Sequence, residues 1–151
     1  MSDVKAEQPN RNKARPGETV KDPADWSDTE LMANSDWNYE ANSAEITHLV
    51  DMARHIYGRI GDDSRRLLLM TQNDFDLGPF ADRLKVIMSQ VKDGLGLALY
   101  RGLPMDELSL LEAAIIYWGM GRHMGNPMSN NPDGDMIGHV QDTGKDYRDP
   151  R

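Results

Sequence analysis

The chain has 151 residues, 38% of them apolar, with a net charge of −8 and a pI near 4.9. That length allows one domain with its own core, and an acidic surface repels nucleic-acid phosphates. The lack of cysteine excludes disulfide scaffolds, thiolate metal sites and cysteine nucleophiles. No apolar run approaches the ~18 residues of a membrane span, and the N-terminus lacks the apolar stretch of a secretory signal. The expectation is a cytoplasmic protein that binds neither nucleic acid nor membrane.

Residues 1–25 are polar, carry Pro9, Pro16 and Pro23, and balance Lys5, Arg11, Lys13, Arg15 and Lys21 against five acids. Such a segment buries too little surface to offset its ordering entropy and reads as a flexible arm. Trp26 and Trp37 bracket a short helical piece, Asp28 to Ala33. Aromatics at a domain edge pin a terminal segment onto the core.

Asn42 to Gly58 is predicted to be an amphipathic helix. Asn42 and Glu45 have capping-box spacing, and Ile46, Leu49, Val50, Ala53, Ile56 and Tyr57 mark one buried face. His48 and His55 lie two turns apart and off that stripe, too far apart for one metal, and read as solvated. Leu67-Leu-Leu-Met70 is a short apolar run, and the residues from Thr71 to Asp76 read as a loop. Gly78 to Asp93 returns to helical period through Phe80, Leu84, Ile87, Met88 and Val91, and Gly94 is a helix stop.

In Leu95-Gly-Leu-Ala-Leu-Tyr100 both alternating faces are non-polar, the pattern of an interior strand covered on both sides. Gly102-Leu-Pro104 then forces a turn. Ser109 and Glu112 form a second capping box, and the segment from Leu110 to Met120 is apolar almost all round, as in a central buried helix. An Asn/Pro/Gly loop follows from Asn126 to Asp135, with a turn at Asp133-Gly134, and Met136 to Val140 reads as a strand.

Three candidate chemistries are weighed and set aside. Gly119-Met-Gly-Arg-His-Met-Gly125 has a glycine spacing like a dinucleotide loop. It falls at the end of a helix, whereas a phosphate cradle opens one. His123 suits a capping or packing role in that last turn, and Asp133-Gly-Asp135 lacks the surrounding ligand series of a calcium loop.

The ordered words Gly96-Leu-Ala-Leu-Tyr-Arg-Gly-Leu-Pro104, Gly121-Arg-His-Met-Gly-Asn-Pro127, Met128-Ser-Asn-Asn131 and Ile137-Gly-His-Val-Gln-Asp-Thr-Gly144 resemble the taurine dioxygenase/TfdA-like family of Fe(II)- and 2-oxoglutarate-dependent oxygenases. The preceding helices, from about Trp26, fit the family's N-terminal region more loosely. The resemblance implies an α+β chain, the N-terminal part of a double-stranded β-helix (jelly-roll) fold over residues 26–151, with helices flanking the first core strands. It implies hydroxylation of a small organic substrate, with Fe(II) held by a His-x-Asp/Glu pair and a distant His, and an Arg gripping 2-oxoglutarate. Two histidines and a carboxylate leave iron positions open for co-substrate and dioxygen.

The four histidines are followed two places on by Val50, Tyr57, Gly125 and Gln141, and Asp142 lies three after His139. No His-x-Asp/Glu pair is present. The chain is therefore expected to be truncated before the metal-binding motif, to bind neither Fe(II) nor 2-oxoglutarate alone, and to hold no catalytic or metal residues. Asn130 and Asp142 are the candidate substrate-pocket residues. An all-apolar helix and a two-faced strand without partners would also leave apolar surface open to self-association. Two alternatives stand beside the oxygenase reading. One is a non-catalytic truncated homologue, an interaction module or decayed gene product; the other is an unrelated small α+β binding domain.

Overall fold

A computed structural model describes residues 13, 15–129, 131–138, 142, 144 and 148. Helix α1 (Asp28–Ala33) leads to strand β1 (Asn38–Glu40), then α2 (Ser43–Ile60), α3 (Ser64–Leu68), a 3-10 turn (Gln72–Asp74) and α4 (Phe80–Asp93). Strand β2 (Leu99–Arg101), a 3-10 turn (Met105–Glu107) and α5 (Leu110–Met124) complete the order.

Local chemistry sets most helix starts. Ser27 with Glu30, Asn42 with Glu45, and Ser109 with Glu112 form reciprocal capping boxes at α1, α2 and α5. Each satisfies backbone N–H groups that the first helical turn leaves without partners. Asp63 accepts from the Arg65 N–H and starts α3, which turns the apolar run inward. Leu67 and Met70 are buried, while Leu68 and Leu69 remain exposed.

The core lies where α2 packs on α5. Leu49, Ala53 and Ile56 of α2 meet Ile115, Ile116 and Trp118 of α5, with Phe75, Phe80, Leu84 and Ile87 completing the cluster. Gly119 lets this packing close, because a Cβ there would strike the fully buried Phe75 ring. The helices α2 to α4 form the crossover that returns the chain beside β1. There β2 pairs in parallel, with Asn38 opposite Leu99 and Tyr39 opposite Tyr100. Trp26 pins the N-terminal approach as expected, its indole N–H donating to the Leu95 carbonyl at 2.8 Å.

Several expectations need correction. The strand expected from Leu95 to Tyr100 is confined to Leu99–Arg101, and β1 is its one neighbour among the described residues. The reason is the end of α4: the Gln90 carbonyl accepts from both Gly94 N and Gly96 N. Gly96 reaches that position with φ +80°, a conformation that glycine adopts without steric cost. Its backbone is thus spent on capping α4 rather than on a ladder. The strand is not covered on both sides, since Leu99 is 43% exposed.

Helix α5 is not buried all round, as Leu110 and Tyr117 are 71% and 70% exposed. Met136 to Gly138 are bends and coil rather than strand, and residues 139–140 of that expected strand lie outside those described. His48 is half-buried rather than solvated, with Nε2 3.0 Å from the Asp76 carbonyl. His55 is exposed. No described helix is long and apolar enough to cross a membrane.

Candidate functional site

Of the two residues expected to line a substrate pocket, Asn130 lies outside the described residues. Asp142 is exposed, and its Oδ1 accepts from the Gly144 N–H at 2.7 Å, a local turn. His123 has the packing role its position suggests: Nε2 lies 2.7 Å from the Phe75 carbonyl and ties α5 to the segment before α4. Among the described residues no three His, Asp or Glu side chains gather as a metal would require.

The most developed polar cluster is built on Glu45. Its carboxylate is 2% exposed and does two jobs. Oε2 caps α2 by accepting from the Asn42 N–H at 3.0 Å, and Oε1 takes the Arg83 Nε–H of α4 at 2.5 Å. The Tyr100 hydroxyl of β2 reaches Oε2 at 3.3 Å. Burial pushes the Glu45 carboxyl up, but the Arg83 bond and charge, the Asn42 N–H and Tyr100 outweigh it and hold the group below its ordinary range. Burial, then the adjoining Glu45 charge and bond, pushes the Tyr100 phenol well up. Tyr100 also packs on Phe80, ring centroids 4.7 Å apart. With every member partnered, the cluster is a structural junction of α2, α4 and β2.

The grooves that border α5 in the described residues include the following two. One, of about 540 Å³, runs between α3 and α5 and is lined by Leu68, Leu110, Leu111, Ala114 and Ile137, with Asp62 and Asp135 at its margin. The other, of about 480 Å³, lies at the C-terminal end of α5 and continues along residues 125–128 to Met136. Besides Asn38 Oδ1 of β1, the buried unsatisfied side-chain atoms among the described residues belong to two residues that line this second groove. Trp118 is 5% exposed, and its Nε1 is buried without an acceptor; Arg122 Nε is likewise buried and unpaired. A buried donor left in this state costs about 1–3 kcal/mol, which makes such groups informative.

The sequence signal for these donors was present but masked. Trp118 and Arg122 sit four apart, one above the other on a helix face, Trp118 inside a run whose apolar character suggested burial alone and Arg122 just beyond it.

No family model matches the chain. The chain is similar to FR-33289 synthase of Streptomyces rubellomurinus, 22% identical over 120 residues, which make up 80% of this chain and 34% of the synthase. It thus spans about a third of the length of the curated relative it matches. That distant relative is an enzyme by name.

Proposed function

We propose that the chain belongs to a non-haem iron, 2-oxoglutarate-dependent oxygenase acting on a small organic substrate, and that it contributes helical cover and pocket wall rather than the metal centre. The observation that carries this reading is the ordered run of words from Gly96 to Gly144, with the synthase similarity across most of the chain in support. The open apolar side of α5 at Leu110 and Tyr117 suits packing against further strands of a jelly roll. On this reading Asn130 and Asp142 line the substrate pocket, and Fe(II) and 2-oxoglutarate are held by residues other than those described.

The test is to read the gene beyond codon 151, express the encoded protein, and follow 2-oxoglutarate-dependent oxygen uptake and succinate formation. The expected result is a downstream His-x-Asp/Glu pair and turnover that needs added Fe(II). An encoded protein without that pair, and without succinate formation, refutes the reading. It would favour instead the non-catalytic homologue.

A further inference from the structure

We propose that the groove at the C-terminal end of α5 binds a small carboxylate with an apolar body, its head group taken by Trp118 Nε1–H and the Arg122 guanidinium. The proposal stands whether or not the oxygenase reading holds.

Three independent observations converge on this groove. The two donors are one helical turn apart on the same face of α5, and both nitrogens are buried without an acceptor. Arg122 forms no ion pair among the described residues, although the chain carries 25 acids against 17 bases. Chance would favour an acidic neighbour in such a chain, yet no acid lines this groove among the described residues. The remaining wall is apolar and adaptable, with Met120, Met124, Met128 and Met136 contributing thioethers that repack around irregular shapes. A volume of about 480 Å³ lies within the range of small-molecule pockets.

The chemistry favours a carboxylate over a cation or a neutral molecule. Arginine presents Nε–H and an Nη–H side by side, a fork that matches two carboxylate oxygens, and the indole N–H is a donor only. A cationic ligand would meet the like charge of Arg122 and could accept neither N–H group.

The experiment uses the full chain with hexanoate, hexylamine and hexan-1-ol as probes. It is followed by calorimetry and by the indole N–H resonances, with Trp118 assigned from Trp118→Phe. Hexanoate should bind saturably and shift the Trp118 indole resonance, while hexanol binds at least about tenfold more weakly, as expected for a lost charge-assisted pair. Arg122→Gln should weaken hexanoate by about tenfold or more. Gly121→Leu offers a second route: a Cβ at Gly121 meets nothing within 4 Å, so the larger side chain fills the groove of a folded protein and should abolish binding. Equal binding of hexanoate and hexylamine, no shift at Trp118, or undiminished binding to Arg122→Gln would each overturn the proposal.

Discussion

Replacing Glu45 tests the junction of α2, α4 and β2 directly. In Glu45→Ala three interactions go together: the reciprocal cap to the Asn42 N–H, the Arg83 bond and the Tyr100 contact. A cap is worth about 1 kcal/mol, and a hydrogen bond to a charged group about 1.5–3 kcal/mol. Tyr100 at 3.3 Å adds little. Arg83 is 31% exposed, so water partly rehydrates it, and the 3–5 kcal/mol typical of breaking a fully buried pair is an upper bound. The expected loss is about 3 kcal/mol, a fall in Tm of roughly 6–12 °C for a chain of this size. Glu45→Gln retains an acceptor and should lose about 1–2 kcal/mol, mainly the charge assistance.

The same carboxylate gives a pH signature. Its folded pKa lies below the ordinary 4.5, so the unfolded chain takes up its proton first as pH falls. The stabilisation is complete above about pH 4.5 and is lost as pH drops through the folded value. Glu30, Asp74, Asp82 and Glu112 are also held low, but they are common to both proteins and cancel in the difference. Urea unfolding of wild type and Glu45→Gln at neutral pH and again at about pH 3 reads that difference. The stability gap should narrow in acid. A gap that stays constant, or a Glu45→Ala protein within about 1 kcal/mol of wild type, would refute the assignment of Glu45 as the junction.

Two glycines two residues apart, on opposite faces of α5, should respond in opposite directions. Gly119→Ala drives a methyl into the Phe75 ring and should cost about 1–3 kcal/mol, despite the better helix propensity of alanine. Gly121→Ala meets nothing and should gain up to about 1 kcal/mol; thermal denaturation separates the two. Replacing the exposed Leu69, Leu110 and Tyr117 with serine should suppress concentration-dependent association in light scattering, because these side chains leave apolar area in water. An unchanged size distribution that is already monomeric in the wild type would count against self-association through this face.

Features that depend on near neighbours in the chain were readable before the fold was known. The caps at Asn42 and Ser109 and the stripe through Leu49, Ala53 and Ile56 all follow from spacing within a few turns. Strand β1 was missed because Asn38-Tyr-Glu40 has no alternation of its own; it is a strand only because β2 arrives beside it. The second role of Glu45 was hidden behind its cap, since Arg83 and Tyr100 reach it from distant parts of the chain. His48 misled for a related reason: it lies off the apolar stripe, but the segment around Asp76 and Gly78 folds over its ring. The paired donors of α5 could have been found by asking what Arg122 bonds to at the end of an apolar helix.

The reciprocal caps also bear on how the chain folds. Each joins residues three apart, so the boundaries of α1, α2 and α5 can form without waiting for distant contacts. The pairing of Asn38 with Leu99 must instead close a long loop, an entropic cost that comes before any ladder bond is made. The helices therefore form early and the parallel strand pair last. The sheet registers that the helical core has already assembled, and its amides should be among the first to open again.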